Sequence, residues 1–230
     1  MTVELIAYTQ MPEFPGNPLA VVEQAASVCY DSRPTENYRI AKTCKASGHT
    51  SVLEHISFTF HIGGVSRSLM AQLTRHRHAS FSVRSQRYCN EADFSLVVPP
   101  TIENNGSLKE WYDLFMDAMN RWYSVYRREV PAEDARYVLP NACCTELYLT
   151  MNARALIESS RQRLCSRAQW EIRGMFEAMR EAVRPVCPEV ADWMRPKCED
   201  DPEHPFCPEA KSCGRNPKLN EVYRKEDAES

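Results

Sequence analysis

The segment Thr74–Tyr88, TRHRHASFSVRSQRY, concentrates basic side chains in a chain that is slightly acidic overall. Its fifteen residues include four arginines and two histidines, whereas the whole chain of 230 residues has a formal net charge of −3. Arginines stay protonated in proteins, so holding four of them together costs repulsion unless anions lie between them. Ser80, Ser82, Ser85 and Gln86 add hydroxyl and amide groups that can bind phosphate oxygens.

Residue types and spacing leave three interpretations of this basic segment open. It can be a solvated face at the end of a helix, where the helix dipole favours cations. It can be an anion site, because guanidinium groups bind phosphate oxygens through paired hydrogen bonds. A zinc site on His76 and His78 is less favoured, because the neighbouring arginines would repel the ion. The chain lacks a glycine-rich phosphate loop, so a nucleotide would be held by side chains.

The composition of the chain limits the classes of function. With 43% hydrophobic residues, the chain is long enough for one substantial core. Its N-terminal sequence has no signal-peptide pattern, and no stretch approaches the roughly 18 apolar residues of a membrane-spanning helix. We therefore expect a cytoplasmic protein without membrane contact. The slightly acidic net charge also argues against a general nucleic-acid binder.

Ten cysteines are present, and without a secretion signal we expect reduced thiols rather than disulfides. The C-terminal part contains four of them: Cys187, Cys198, Cys207 and Cys213. These could supply four thiolates to a structural zinc ion. Their spacing lacks the C-x2-C pairs typical of such sites, so buried or free thiols are favoured and no metal site is predicted.

The first half of the chain predicts strands and helices on either side of two glycines. TVELIAY, residues 2–8, reads as a strand, and residues 54–62 alternate apolar and polar side chains as a half-buried strand does. Helices are predicted over residues 19–30 and 35–47, with Gly48 as the C-terminal cap of the second. After Gly63 and Gly64, the four-residue spacing of Val65, Leu69 and Leu73 predicts a short helix that ends at the basic segment.

The second half predicts longer helices. Apolar side chains recur at helical spacing over residues 107–130: Leu108, Trp111, Phe115, Met119, Trp122 and Tyr126. We interpret this stripe as a core face. Residues 135–152 read as a turn and a strand, Asn152 as the N-cap of a helix over 153–164, and a further helix as ending at Pro185. Residues 187–230 are rich in proline, cysteine and charge and predict an irregular tail.

One motif in the basic segment resembles the signature of the flavin-dependent thymidylate synthases. Arg75, His76 and Arg77 are followed after seven residues by Ser85 and after one more by Arg87. Four further blocks resemble those of the same family in the same order: GHTSVLEHISFTF, ARYVLP, NARALIESSRQR and AQWEIR. The resemblance covers about residue 25 to about residue 185.

The resemblance implies an α+β fold with a mostly antiparallel sheet packed with helices, assembled as a homotetramer with active sites at subunit junctions. It divides the chain into a catalytic domain, 1–186, and a Cys/Pro-rich C-terminal extension, 187–230. The implied enzyme is an FAD-dependent methyltransferase that converts dUMP to dTMP. Methylenetetrahydrofolate supplies the carbon and leaves as tetrahydrofolate, NADPH supplies the reducing power, and FAD carries the hydride.

The resemblance also implies a set of residues that bind dUMP: Gln72, Arg75, Ser85, Gln86, Arg87, Arg136 and Arg163. Ser85 and Arg87 would lie on the loop around the phosphate. Arg163 is the implied catalytic residue, because a fixed positive charge beside the uracil ring lowers the pKa of its imide and makes C5 a better nucleophile. A flavin hydride route needs no protein nucleophile, so we expect no cysteine to attack dUMP.

A second implied set binds FAD: Ser51, Arg75, His76, Arg77, His78, Asn152, Arg154 and Glu158. His49 would lie near the flavin ring. The residues themselves leave structural roles open, with Asn152 only an N-cap, Arg154 and Glu158 an exposed i,i+4 pair, and His49 a loop residue. Val83 and Glu158 depart from the residues that are common in the family.

Two functions of other classes remain as alternatives. A non-catalytic nucleotide-binding or RNA-binding module would use the arginines and bind polyanions in a salt-dependent way. A metal-dependent hydrolase would use His49, His55, His76 and His78, and chelators would inhibit it.

Overall fold

The structure, a computed structural model, describes residues 1–13, 15–29 and 31–222. Its strands are β1 (Thr2–Tyr8), β2 (Ser57–Ser66), β3 (Ala79–Val83) and β4 (Cys144–Asn152). Its helices are α1 (Leu19–Cys29), α2 (Arg39–Ala46), α3 (Arg67–Leu73), α4 (Pro100–Glu103), α5 (Gly106–Glu129), α6 (Ala132–Ala135), α7 (Ala153–Arg163), α8 (Trp170–Val183) and α9 (Pro188–Trp193). Single 3₁₀ turns cover Thr50–His55, Arg136–Val138 and Lys197–Glu199.

The four strands form one sheet in the order β1-β2-β4-β3. The register shows that β2 and β4 are antiparallel. The hydroxyls of Thr59 and Thr150 lie 2.9 Å apart, and three residues earlier on the first strand Ile56 accepts a hydrogen bond from the backbone of Ala153. Residue numbers therefore decrease along β2 where they increase along β4, which is the pairing of antiparallel strands. The predicted α+β fold with an antiparallel sheet is confirmed.

Strand β2 begins three residues later than the sequence predicts, because Glu54 and His55 lie in the 3₁₀ turn Thr50–His55, and it also ends later. Ile56, Phe58, Phe60 and Ile62 are all fully buried, which confirms the predicted apolar face. The strand then continues through both glycines to Ser66, so Val65 lies in the strand and the predicted helix begins only with α3.

The glycines of β2 are explained by a close approach of the chain's first residues. A Cβ on Gly63 would lie 3.0 Å from the Thr2 hydroxyl. Gly64 has a φ of +66° and would place its Cβ 3.3 Å from the Met1 nitrogen. The glycines therefore allow strand pairing instead of ending the strand. Helix α3 is capped by Ser66, whose hydroxyl accepts a hydrogen bond from the Leu69 backbone.

The chain folds into two compact units, each built from segments that are distant in the sequence. The first unit contains Met1–Thr2, His61–Arg75 and Phe81–Leu149, and therefore α3 to α6. The second unit contains Val3–Phe60, His76–Ser80 and Thr150–Ser230, and therefore α1, α2 and α7 to α9. The family-derived boundary after residue 186 stays a prediction. No helix among residues 1–13, 15–29 and 31–222 is long and apolar enough to cross a membrane.

Helix α1 follows its prediction to Cys29, and the predicted last residue, Tyr30, lies outside the described residues. Helix α2 begins at Arg39, four residues later than predicted, because Tyr38 has a φ of +56° that a helix cannot contain. Its end is as predicted: Gly48 has a φ of +77°. The backbones of Gly48 and His49 donate to the carbonyls of Lys45 and Cys44, as in a Schellman cap.

The aromatic stripe of α5 is exposed, so the prediction of a core face is wrong for this chain. Trp111 is 72% and Trp122 57% exposed, while Met116 and Tyr123 are the residues of α5 that are buried. These two lie on a neighbouring face of the helix, which packs within the first unit. We define the exposed residues as the α5 stripe: Leu108, Trp111, Leu114, Phe115, Trp122, Val125 and Tyr126.

The beginning of the predicted irregular tail is helical and buried. Helix α9 packs against α7 and α8. Cys187, Val190, Ala191 and Met194 are fully buried, so this stretch belongs to the core of the second unit. The prediction of irregular structure is wrong for 188–193. It holds for most of 200–222, where an isolated bridge joins Cys207 to Lys218, and residues 223–230 lie outside the described residues.

Candidate active site

The residues after β3 form a loop, 84–88, whose own hydrogen bonds fix its shape. The Ser85 hydroxyl accepts a hydrogen bond of 3.2 Å from the Arg87 backbone. The Ser85 carbonyl accepts one of 2.9 Å from Cys89, and the Arg84 backbone donates to Glu146 of β4. The loop is therefore anchored to the sheet at its start and closed by a turn. This arrangement holds Ser85 and Arg87 next to each other, as the resemblance implies.

Two arginines of the basic segment already have carboxylate partners within the first unit. Arg84 lies 3.1 Å from the buried Glu91 and 3.6 Å from Glu146, and the charge of Glu91 raises the pKa of its guanidinium. Arg87 pairs with Glu133 over 3.0 Å at the surface. Arg84 is thus held in place as a structural residue. Exposed pairs are worth about 0–1 kcal/mol, so Arg87 can exchange its partner for a phosphate.

A cavity of about 290 Å³ in the first unit brings two of the implied dUMP residues together. Gln86 and Arg136 both line it, and the Gln86 amide lies 3.9 Å from the Cys143 sulfur. Burial raises the pKa of that thiol to about 11, so it stays protonated and is a poor nucleophile. The remaining lining residues are Arg67, Tyr137, Leu139, Pro140 and Asn141. Arg67 was not identified from the sequence, because it belongs to no motif.

Gln72 and Arg75 lie in the last turn of α3 and directly after it. The Arg75 backbone donates to the Gln72 carbonyl at 3.4 Å, which closes the helix end. Arg75 itself is exposed, and no ion pair links it to a carboxylate among residues 1–13, 15–29 and 31–222. It is therefore a cation available to a ligand.

In the second unit, Arg163 at the end of α7 is held by His76. Its Nε donates a hydrogen bond of 2.9 Å to His76 Nε2. A guanidinium can only donate, so Nε2 must be the acceptor and the ring proton must be on Nδ1. His76 Nδ1 lies 2.9 Å from the hydroxyl of Ser159, one turn earlier on α7, and donates to it. The three side chains form one hydrogen-bonded row.

The surroundings of His76 favour its neutral form. Burial and the positive charge of Arg163 together lower its pKa to about 4. Its ring packs 5.9 Å from the ring of Phe176. Burial also lowers the pKa of the Arg163 guanidinium, although an arginine stays charged in any protein environment. His76 is thus a neutral hydrogen-bond acceptor that orients a permanent cation, and this partnership was not predicted.

The predicted FAD residues on α7 have structural partners. Asn152 accepts a hydrogen bond of 2.8 Å from the Ala155 backbone, which confirms it as the N-cap of α7. Arg154 lies 2.9 Å from Glu158 and 2.7 Å from Glu54. The hydrogen bonds that Arg154 donates to Glu158 and, to a smaller extent, to Glu54 raise its pKa. The i,i+4 pair considered as an alternative is therefore present, with a second carboxylate added from the 3₁₀ turn.

The other predicted FAD residues are exposed. Ser51 lies in the 3₁₀ turn Thr50–His55, and Arg77 and His78 lie on the bend before β3. Within the described parts of the chain, no ion pair links Arg77 to a carboxylate. His49 is exposed and lines a largely apolar cavity of about 350 Å³ between α2 and the loop that follows α1, with Arg39 among its other lining residues.

No three His, Cys, Asp or Glu side chains of residues 1–13, 15–29 and 31–222 are grouped so that they could hold a metal ion. The four-histidine site of the hydrolase alternative therefore does not form among them. Cys187, Cys198 and Cys207 are buried and Cys213 is exposed, all as free thiols. Burial raises the pKa of Cys187 to about 12. Cys198, Cys207 and Cys213 line one cavity together with Cys165, without the grouping that zinc requires.

The fold and the site together define an α+β protein that presents arginine side chains, rather than a glycine-rich loop, to a phosphate-bearing ligand. The comparisons with known proteins agree with this class. A family model described as "thymidylate synthase complementing protein" matches residues 4–189, a longer stretch than the sequence motifs indicate.

Two similar curated proteins are flavin-dependent thymidylate synthases. That of Clostridium tetani is 36% identical, over 96% of each chain. That of Nitratidesulfovibrio vulgaris is 38% identical, over 94% of this chain and 95% of the relative. The crystal structure of the flavin-dependent thymidylate synthase of Helicobacter pylori, complexed with FAD and dUMP, matches with a TM-score of 0.64 and 26% identity. The match covers 79% of this chain and 93% of that one. The chain belongs to the family of flavin-dependent thymidylate synthases.

Proposed function

We propose that this thymidylate synthase binds dUMP and FAD through the residues described above and methylates dUMP at C5. Methylenetetrahydrofolate is the carbon donor and NADPH the reductant in this proposal. The observation that carries it is the hydrogen bond from Arg163 to His76, because it holds a permanent cation in one orientation. The relative from Helicobacter pylori, whose structure contains both FAD and dUMP, supports the choice of ligands.

Arg163 acts on the uracil ring through its charge. A cation fixed beside the imide stabilises the ring anion and lowers the pKa of the imide proton. The negative charge then delocalises to C5, which becomes a better nucleophile toward the methylene carbon. Because His76 Nε2 takes one donor of the guanidinium, the charge is already oriented before the substrate binds. Such preorganisation is what makes electrostatic stabilisation effective.

Ser85 and Arg87 bind the phosphate of dUMP, together with Gln86 and Arg136. The closed shape of the loop 84–88 presents the Ser85 hydroxyl and the Arg87 guanidinium side by side. Arg87 gives up its exposed contact with Glu133 for the more strongly charged phosphate. Gln72 and Arg75 complete the dUMP set.

The exposed residues Arg75 and Arg77 fit the phosphate groups of FAD, because both are cations without a carboxylate partner in the described parts of the chain. Arg154 fits less well, since Glu54 and Glu158 already neutralise it. We therefore assign Arg154 and Glu158 to the support of the 3₁₀ turn that carries Ser51. His78, Asn152 and His49 keep their proposed places near the cofactor. FAD supplies the hydride that completes the methyl group.

No cysteine acts as a nucleophile toward dUMP in this proposal. Cys143 is the thiol that lies against a proposed dUMP residue, and its pKa of about 11 keeps it protonated. Protonated thiols neither attack carbon nor form covalent adducts at useful rates. The electrostatic route through Arg163 needs no such attack.

The enzyme assembles as a homotetramer with active sites at subunit junctions, and the α5 stripe is one of the contact surfaces. Exposed apolar patches of this kind mark interaction sites in soluble proteins. Tryptophan and tyrosine are the residue types most enriched at the energetic centres of interfaces. Symmetric assembly pairs identical surfaces, so the stripe of one subunit can face that of another.

The proposed function is tested with the purified protein. We expect a yellow protein with the visible spectrum of oxidised flavin, and dTMP formation that consumes NADPH and requires methylenetetrahydrofolate. Arg163→Ala should keep the flavin and lose at least about 100-fold in turnover, as expected when an electrostatic group is removed from the transition state. Arg184→Ala, which removes a surface arginine paired with Glu181 and Asp192, serves as the matched control.

Two results would contradict the proposal. Wild-type enzyme that forms no dTMP with all substrates present would refute the reaction. A folded, yellow Arg163→Ala variant with normal turnover would leave the reaction standing but refute the assigned role of Arg163.

A further inference from the structure

Arg67 is a half-buried cation that the family motifs do not account for. It begins α3 in the first unit and lines the 290 Å³ cavity with Gln86 and Arg136. One end of its guanidinium is used: Nη2 donates a hydrogen bond of 2.7 Å to the carbonyl of Arg84, where the loop 84–88 starts. The Nε–H is buried and has no hydrogen-bond partner among the described residues. A buried donor without a partner is costly, so the protein satisfies the guanidinium of Arg67 only in part.

The charges around Arg67 leave the cavity positive. Burial has the largest effect on its guanidinium and lowers the pKa, Cys143 and Glu91 raise that pKa, and Arg136 and Arg84 lower it. Arg84 is neutralised by Glu91 and Glu146. No ion pair joins Arg67 to a carboxylate within residues 1–13, 15–29 and 31–222. Two arginines line this open cavity and no carboxylate does, so the cavity favours an anion.

The lining of the cavity indicates which anion fits. Gln86 and Asn141 provide amide groups, and Arg136 and Arg67 provide guanidinium groups. Guanidinium and amide donors around one small space match the several oxygens of a phosphate monoester. Gln86 and Arg136 stand at positions assigned to dUMP, so the inference rests on the proposed function.

We propose that Arg67 is a further dUMP-binding residue of this enzyme, with the part of its guanidinium that lines the cavity bound to a phosphate oxygen. Its Nη2 at the same time holds the Arg84 carbonyl and with it the start of the loop that carries Ser85. One side chain thus binds the phosphate directly and positions the second group that binds it. The residue discriminates between the nucleotide and the nucleoside.

The test measures equilibrium binding of dUMP and of deoxyuridine to the FAD-loaded enzyme. Loss of one charge-assisted hydrogen bond should weaken dUMP binding by about 10- to 100-fold in Arg67→Met. Binding of deoxyuridine, which has no phosphate, should change by less than about twofold on the same argument. Arg67→Lys keeps the positive charge but loses the paired donors of the guanidinium, so its affinity for dUMP should lie between those of the wild type and Arg67→Met. Arg184→Met is the matched control and should bind dUMP as the wild type does.

Several outcomes would overturn the proposal. Arg67→Met could bind dUMP like the wild type, or lose affinity for dUMP and deoxyuridine equally, which indicates only a structural role. A raised KM for NADPH with unchanged dUMP binding would indicate that the cavity binds a phosphate group of NADPH rather than that of dUMP. If Arg67→Met does not fold by circular dichroism, Arg67→Lys decides, and wild-type dUMP affinity in it refutes the proposal. These measurements of dUMP binding do not depend on dTMP formation. A failure of the proposed function would appear in the turnover assay, and a failure of the role of Arg67 would appear in the binding assay.

Discussion

His76 and Arg163 lie 87 positions apart in the sequence, yet a hydrogen bond of 2.9 Å joins them. The motif around His76 implied a contact with FAD, whereas the structure gives both ring nitrogens protein partners, Ser159 and Arg163. A protonated imidazole could not accept the hydrogen bond from Arg163. The orientation of the proposed catalytic cation therefore depends on a histidine that stays neutral.

We predict that His76 makes the enzyme less stable at acid pH. Its pKa is about 4 in the folded chain against 6.5 ordinarily, so the unfolded chain binds a proton first as the pH falls. Its contribution is fully present above about pH 6.5 and is lost between pH 6.5 and 4. Between pH 7.5 and 4.5 the wild type should lose about 2.5 kcal/mol more unfolding free energy than His76→Gln, which cannot titrate. Urea denaturation at a fixed protein concentration measures this difference.

His61→Gln is a suitable control, because this histidine lies near the exposed Glu146 rather than against an arginine. This variant keeps His76, so it should still lose more unfolding free energy toward pH 4.5 than His76→Gln does. Parallel pH curves for the wild type and His76→Gln would show that His76 is not buried as a neutral ring.

At the scale of elements, the start of α2 is set by a residue of α1. Tyr38 at the N-cap position makes no side-chain cap. The carboxylate of Glu23, which is almost fully buried, instead accepts hydrogen bonds from the backbones of Thr35 and Ala41 and from the Thr35 hydroxyl. Burial alone would raise the pKa of Glu23, but these hydrogen bonds together lower it. One carboxylate thus satisfies the donors of a loop and of a helix end.

Glu23→Gln should destabilise the enzyme by about 1–3 kcal/mol at neutral pH, because an amide replaces one charged acceptor with a donor. The folded pKa of Glu23 lies below its ordinary value of 4.5, so its contribution is present above that value and is lost as the pH falls through the folded pKa. The difference between the variant and the wild type should therefore shrink below about pH 4.5. Urea denaturation at pH 7 measures the loss of stability, and the same measurement at pH 4 shows whether that loss becomes smaller.

Glu36→Gln changes an exposed carboxylate in the same loop and should leave the stability within about 0.5 kcal/mol of the wild type. A loss in Glu23→Gln that stays constant from pH 7 to pH 4 would contradict the charge-based account and indicate packing instead.

At the scale of the whole molecule, the α5 stripe is the surface proposed for assembly. A helix of 24 residues packs Met116 and Tyr123 into the first unit and presents two tryptophans to solvent. A period of three and four residues shows that a helix has an apolar face, but the same period occurs in a helix that faces its own core and in one that faces another subunit.

If the stripe is a contact surface of the proposed tetramer, Trp122→Glu should yield smaller species without loss of helix content. A charge buried in an apolar interface is costly, whereas the same charge on the isolated subunit is solvated. Sedimentation velocity measures the assembly, and circular dichroism measures the fold. If the proposed sites lie at subunit junctions, dTMP formation should fall with the fraction of tetramer.

Leu219→Glu places the same charge on another exposed leucine, 44% exposed and outside the stripe, and should leave the assembly unchanged. A fully tetrameric Trp122→Glu variant would show that the stripe is not an assembly surface.

Features encoded by neighbouring residues could be predicted. The alternation of Ile56, Phe58, Phe60 and Ile62 defines β2, because a strand places every second side chain on one face. Asn152 caps α7 by a hydrogen bond that spans three residues. Rules based on neighbouring residues failed where residues distant in the sequence determine the structure. Gly63 lies against Thr2, so this glycine permits strand pairing where the sequence suggested the end of the strand.

The amino-acid sequence by itself determined the family, the order of most of the longer elements and the residues proposed for dUMP and FAD, because motifs and periodicity are local in the chain. It did not predict β3, α4, α6 or α9. The tertiary structure decided the partners. It showed that Arg84 is neutralised by Glu91, that Arg163 is held by His76, and that Arg67 has a buried donor with no partner among the described residues. Charge, burial and hydrogen bonding depend on which atoms are close in space, and only the folded chain brings those atoms together.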